Sequence, residues 1–330
     1  MTPRLPIVLT CGEPAGIGPE LAPLARLLLG TEVPFFWLGD PAHLPAGTPV
    51  ALIDQPEQAL DVSGDILPVL LHPFPARQRP GVAEPANAAA VVDVITRAVA
   101  LVQARQAAAV CTAPIHKKAL QDGAGFAYPG HTEFLAHLAG DVPVAMMLAC
   151  DALRVVPATI HIPLRDVPHA LTPELLEQVL RLTHAGLVRD FGIATPRIAV
   201  AGLNPHAGEG GAMGHEDMDV IAPVLHRLRA GGMTVIGPLP ADTMFHPRAR
   251  AGYDAAVCMY HDQALIPIKT LDFDGGVNVT LGLPFVRTSP DHGTAFDIAG
   301  RGIARPDSLV AALRMAQTMV RVRGGQDAND

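Results

Sequence analysis

The sequence predicts an α/β protein built on a largely parallel sheet, and three observations carry that reading. Short β-branched runs alternate with longer helical patterns along the whole chain. Several of the runs, Ile198-Ala199-Val200-Ala201 among them, are apolar at every position, as burial under helices on both faces requires. Apolar residues make up 49% of the 330 positions and charged ones only 17%, so the chain can bury a large core and is too apolar to be disordered.

In chain order, a strand over 5–11 feeds a glycine-rich turn and a helix over 19–29, followed by a strand over 33–38. A helix over 87–104 leads to a strand over 108–112, and a helix over 131–139 to strands over 142–149 and 153–161. The next helix spans 173–190; Thr172-Pro173-Glu174 opens it with a capping hydroxyl, a proline at the first helical position and an acid near the positive end of the dipole. Strand 197–203, helix 216–230 and strands 233–236, 255–260 and 277–281 follow. A helix over 308–322, which Asp307 can cap, completes the pattern.

Glycine and proline, 31 and 32 in number, are spread throughout, which gives many turns and no obvious hinge. Subdomains are drawn at 1–130 plus 285–330 and at 131–284. The net charge of −8 and the lack of a basic stripe argue against nucleic-acid binding. No stretch reaches the roughly 18 consecutive apolar residues of a membrane span, and Ile7-Val8-Leu9 is too short for a signal-peptide core. Cys11, Cys111, Cys150 and Cys258 are far apart and read as reduced, buried thiols of a soluble cytoplasmic protein.

In open α/β sheets ligands bind beyond the carboxyl ends of strands. Three histidines are expected there: His161, His206 and His261. Imidazoles converging from three strand ends make a divalent-metal site with positions left open to substrate. The segment Gly202-Leu203-Asn204-Pro205-His206-Ala207-Gly208-Glu209-Gly210-Gly211 places four glycines around His206, which permits positive φ and close approach to a ligand.

A second cluster is directed at anions. The chain has 21 arginines but only three lysines, so Lys269 beside an apolar run stands out, as do Asn278 and Arg287-Thr288-Ser289. Gly130-His131-Thr132-Glu133 opens a helix whose N–H groups attract an anion. Together an ammonium, a guanidinium, a hydroxyl and a helix start suit a phosphate monoester. No Gly-x-Gly-x-x-Gly, Walker A or Gly-x-Ser-x-Gly pattern occurs. The turn Gly12-Glu13-Pro14-Ala15-Gly16-Ile17-Gly18-Pro19-Glu20 is either phosphate-facing or a tight connection.

These segments together resemble the 4-hydroxythreonine-4-phosphate dehydrogenase family of vitamin B6 biosynthesis. The matching stretches are GEPAGIGPE (12–20), APIHKKAL (113–120), GHTEFLA (130–136), HIPLRDV (161–167), GLNPHAGEGG (202–211), GPLPADTMF (237–245), YHDQALIPIKTL (260–271) and GVNVTLGLPFVRTSPDHGTAFDIAGRG (276–302). They run in family order over nearly the whole chain. The departures are small: Cys11 precedes the first motif, and His215-Glu216-Asp217 stands where the family has a polar residue and two acids.

The resemblance implies the isocitrate/isopropylmalate dehydrogenase-like fold, with two α/β/α subdomains and an active-site cleft between them. It implies a homodimer that uses NAD, with NADP as the variant, and one divalent metal (Zn, Mg, Co or Mn) held by His161, His206 and His261 across the two subunits. Substrate-binding residues fall on His131, Thr132, Lys269, Asn278 and Arg287. The implied reaction oxidises the C3 hydroxyl of 4-phosphooxy-L-threonine, and the β-keto acid then loses CO2 to give 3-amino-2-oxopropyl phosphate. His131, Lys269 or Asp242 is the expected catalytic proton acceptor, and the sequence does not choose between them. The rivals are a paralogue acting on a 4-phosphorylated threonate or erythronate or a cis-dihydrodiol, a metal-dependent hydrolase or aldolase, and a non-catalytic phosphate binder.

Overall fold

The structure, a computed structural model, describes residues 5–326. Its strands are β1 (Ile7–Thr10), β2 (Phe35–Gly39), β3 (Val50–Ile53), β4 (Leu67–Leu71), β5 (Val110–Thr112), β6 (Ala145–Cys150), β7 (Leu153–Pro157), β8 (Arg197–Ala201), β9 (Thr234–Leu239), β10 (Ala255–Cys258), β11 (Val277–Leu281) and β12 (Arg287–Pro290). The helices are α1 (Gly18–Leu29), α2 (Ala88–Gln103), α3 (Lys117–Ala124), α4 (His131–Leu138), α5 (Val167–Ala170), α6 (Pro173–Phe191), α7 (Ala222–Ala230), α8 (Pro247–Arg250), α9 (His261–Leu271) and α10 (Asp307–Gln326).

The chain forms two compact units. The first contains the residues up to Val142 and those from Leu283 onward, and the second contains Pro143–Gly282. In the first, the strand order is β3-β4-β2-β1-β5-β12, with parallel pairing throughout. Every residue of β1, β2, β5 and β12 is buried, as a sheet covered on both faces demands. In the second, the order is β11-β6-β7-β10-β8-β9. Here β11, β6 and β7 pair antiparallel, and β7, β10, β8 and β9 parallel. Its core joins Val155, Ala199, Ala256 and Cys258 to Ala264 and Ile268 of α9. All four cysteines are buried and unpaired.

Local chemistry explains most boundaries. Thr172 caps α6, its Oγ1 accepting the Leu175 N–H at 3.2 Å, and Gly192 in the left-handed region ends it. Asp307 does not precede α10 as a cap; it lies in the first turn, and its carboxylate accepts from the Arg305 Nε at 3.1 Å. Residues 131–142 belong to the first unit rather than the second, because Phe134 packs edge-on against Phe126, with ring centroids 5.1 Å apart, and Tyr128 joins them. The stretch Pro85–Gln103 is long and apolar enough by length and composition to cross a membrane, yet half of it is buried within the protein.

Candidate functional site

His161 and His261 are brought together in the second unit. β7 and β10 lie side by side, and the pairing continues past their ends through Ala158 N–H to Cys258 O (2.7 Å) and Thr159 Oγ1 to Met259 O (2.7 Å). His161 follows this extension with a φ of 53°, and His261 opens α9. Their ring centroids are 5.8 Å apart. The Asp262 carboxylate is 2.7 Å from His261 Nδ1, which orients the ring and leaves Nε2 for a ligand. The pair lines a depression of about 270 Å³ with Thr159, Tyr260 and Asp262.

A neighbouring groove of about 440 Å³ is lined by Asp242, Tyr260, Gln263 and Thr270. Asp242 is exposed there. Lys269 occupies the last turn of α9, its Nζ 5.6 Å from the centre of the Phe273 ring. Asn278 stands in β11 opposite Leu148 of β6.

His206 does not complete the pair. It lies after β8 in a run of five left-handed residues, His206 to Gly210, and is exposed. Among the described residues of the chain, no three His, Cys, Asp or Glu side chains gather as metal ligands. Of the three imidazoles expected to converge, His161 and His261 lie close together within one chain and His206 does not join them.

The first unit assembles cations. Arg287, in β12, is only 3% exposed, and its Nη2 donates to Thr112 Oγ1 at 2.7 Å. Burial pushes its guanidinium down to about 10. His131 opens α4 behind Gly130, which provides no side-chain cap. Its Nε2 is buried without a hydrogen-bond partner in the protein. Burial, helped by the charges of Arg287 and Lys117, holds the ring well below the usual imidazole range. The ring is therefore neutral at neutral pH, and its surroundings disfavour the protonated form. Thr132 is half-buried in the same first turn.

The turn after β1 is a tight connection. The N–H groups of Glu13, Ala15, Gly16 and Ile17 are all bonded within the protein, to Pro114 O, the Glu13 carboxylate, Glu13 O and Thr294 O. A Cβ on Gly18 would stand 2.8 Å from Cys11 O, which explains the glycine. Glu20 accepts the N–H groups of Gly300 and Gly302 and so ties α1 to the loop before α10.

Sequence reasoning passed over three side chains that this geometry brings forward. Asp262 and Asp217 bond to the surroundings of His261 and His206, and Lys117 acts on His131. For Asp262 the signal was available, an acid directly beside a candidate ligand. For Asp217, fourteen positions from Leu203, it was not.

Two α/β units of this topology, with histidines and cations near the ends of their strands, define a mixed α/β enzyme fold of the kind seen in solved 4-hydroxythreonine-4-phosphate dehydrogenases. The family model for the pyridoxal phosphate biosynthetic protein PdxA matches residues 38–316. A 4-hydroxythreonine-4-phosphate dehydrogenase of Paracoccus denitrificans is 63% identical over 327 residues, covering 98% of this chain and 100% of the relative. The crystal structure of the Klebsiella pneumoniae 4-hydroxythreonine-4-phosphate dehydrogenase superposes with a TM-score of 0.86 at 38% identity, covering 96% and 100% of the two chains. A terephthalate 1,2-cis-dihydrodiol dehydrogenase from Burkholderia xenovorans superposes with a TM-score of 0.65 at 30% identity, covering 95% and 98%. The chain belongs to the PdxA family.

Proposed function

We propose that this chain oxidises 4-phosphooxy-L-threonine at its C3 hydroxyl with NAD, or with NADP, and decarboxylates the product to 3-amino-2-oxopropyl phosphate, in pyridoxal 5'-phosphate biosynthesis and in the cytoplasm. The observation that carries the reading is the His161–His261 pair with Asp262 behind it, in a chain of the PdxA family.

The donor set fits a divalent metal. Two imidazoles face one depression, one of them oriented by a carboxylate, as metal-bound histidines usually are. His161 and His261 would hold it on one chain, and His206 of a second copy would supply the third imidazole of a homodimer. Such a set suits Zn or Co, and substrate oxygens recruit Mg or Mn. When bound, the metal supplies Lewis acidity toward the substrate's hydroxyl and ketone oxygens, and the nicotinamide supplies the hydride acceptor.

The chain's own residues do the rest. Arg287, Thr132, Lys269 and Asn278 orient the anionic groups of the substrate. His131, Lys269 and Asp242 remain the candidate proton acceptors. The neutral His131 ring, with its buried and unpartnered Nε2, is placed to accept a hydrogen bond from the substrate, while burial and the neighbouring cations disfavour its charged form. Asp242 is exposed and serves the groove beside the histidine pair.

The test is to strip the protein with a chelator, then measure NADH formation and CO2 release from 4-phosphooxy-L-threonine before and after each metal is restored. Metal-dependent release of both products in equal amounts is expected, and NADH formation unaffected by chelation would defeat the reading. The same assay on 4-phosphorylated threonate, erythronate and a cis-dihydrodiol tests the second reading, a paralogue of different substrate. The likeness to the dihydrodiol dehydrogenase favours including it.

A further inference from the structure

We propose that Asp217 is a positioning residue for His206, fixing where that imidazole is presented by clamping the backbone that carries it. The inference rests on His206 being a metal ligand, as proposed above.

The five consecutive residues from His206 to Gly210 have φ of 54°, 51°, 79°, 41° and 66°. Three of them, His206, Ala207 and Glu209, are not glycine, and L-residues in the left-handed region are strained. Such a run persists only where its surroundings over-determine it. The imidazole itself contributes nothing to this, since it is exposed and makes no hydrogen bond within the chain. The direction of its Cα–Cβ bond is therefore set by the backbone alone.

What holds that backbone is Asp217, 1% exposed, at the start of a π-helical turn over Asp217–Ile221. Its Oδ1 accepts the Leu203 N–H at 2.9 Å. Its Oδ2 accepts the Asn204 N–H at 3.1 Å and the Asn204 Nδ2 at 3.0 Å. Asn204 Nδ2 also donates to Glu216 Oε2 at 2.7 Å, and Asn204 O accepts the Ala207 N–H at 3.0 Å. One buried carboxylate thus holds the two residues at the end of β8, and the second of these holds the left-handed run. The fit is tight: a Cβ on Gly202 would stand 2.7 Å from Asp217 Oδ1 and 2.8 Å from Ala207 Cα. A metal-bound histidine is ordinarily oriented by a carboxylate on its second ring nitrogen. Here the carboxylate acts one step removed, through the main chain.

The experiment titrates metal-free protein with Co²⁺, read by visible absorption, alongside far-UV circular dichroism and metal-free melting. Asp217→Asn keeps the shape but leaves one backbone N–H facing an amide donor. It is expected to weaken Co²⁺ binding by about 10–100-fold and to change the absorption bands, with wild-type dichroism. Asp219→Asn, which removes the same charge at an exposed site two residues on, is expected to bind as wild type. Should Asp217→Asn not fold, Asn204→Ala removes only the side-chain bonds and is expected to weaken binding in the same direction by a smaller factor.

A merely structural Asp217 would lower the melting temperature of the metal-free protein and leave Co²⁺ affinity unchanged. That outcome, with His206→Ala weakened, overturns the positioning role alone. Equal weakening by Asp219→Asn also overturns it. Wild-type Co²⁺ affinity in His206→Ala overturns the ligand assignment and this inference with it.

Discussion

In the first unit the groups with chemical potential are withdrawn from water: Arg287 is 3% exposed, and the Nε2 of His131 is buried beside it. In the second unit His161, His206 and Asp242 are exposed, and His261 only half-buried. The buried cluster has its electrostatics fixed by the fold, since burial, aided at His131 by the charges of Arg287 and Lys117, sets the direction in which both groups are displaced. The exposed histidines have no such setting. Their arrangement depends on carboxylates behind them, Asp262 directly and Asp217 through the backbone. In the proposed function the second unit carries the candidate metal ligands together with Lys269 and Asn278, whereas the first contributes its buried Arg287 and His131.

The comparison breaks most visibly if the exposed histidines are dispensable. His161→Ala is expected to lower kcat by about 10³-fold or more, because Lewis-acid stabilisation is worth several kcal/mol. Metal content measured on the purified variant should fall in parallel; normal turnover with normal metal would remove the second unit's role.

A smaller effect sharpens the first unit's role. Arg287→Lys keeps the charge but loses the planar fork that donates to Thr112. KM for the phosphorylated substrate should rise by roughly 10–100-fold, on the scale of one charged hydrogen bond. KM for NAD should stay within about twofold; an equal rise in both would count against a substrate anion at Arg287.

The smallest expected effect is on stability against pH. His131 is held well below its ordinary value in the folded protein. Above about pH 6.5 the ring is neutral in both states and its full contribution to stability is present. As the pH falls below that value the unfolded chain takes up a proton that the folded chain resists, so stability is lost. The slope attributable to this one group is at most about 1.4 kcal/mol per pH unit. His131→Gln should flatten the fall in melting temperature between about pH 6.5 and pH 5. An unchanged slope would mean that the ring is protonated in the folded state after all.

Much of this was legible in the sequence. Strands with unbroken apolar runs, such as β8 and β10, and helices with strong caps, such as α6, stand close to where their patterns put them. The strands β3 and β4 were not found: β3 is a run of only four residues directly after Pro49, and Pro68 interrupts β4. Strand β12 reads Arg-Thr-Ser-Pro, and nothing in that composition announces four buried positions; the buried guanidinium donates to Thr112 Oγ1. Helix α9, which carries Pro267 internally, was not among the expected helices. The short α3 was missed although His116 caps it and Gly125 closes it in the left-handed region. For the site, residue type at strand ends marked His161, His206 and His261 as candidate ligands. β10 pairs with both β7 and β8, so strand order alone would bring all three together; the left-handed run that carries His206 after β8 sets it apart, and that conformation is not written in any local pattern.

The four unpaired cysteines are distributed two to a unit: Cys11 and Cys111 in the first, Cys150 and Cys258 in the second. Burial pushes every one of these thiols up, Cys111 to about 12, so the nucleophilic thiolate is scarce while the protein stays folded. Alkylating reagents then have to wait for an opening event. The native sequence therefore carries its own kinetic reporters. Mass spectrometry of which cysteine is modified first would clock the breathing of each half separately, with no engineered label.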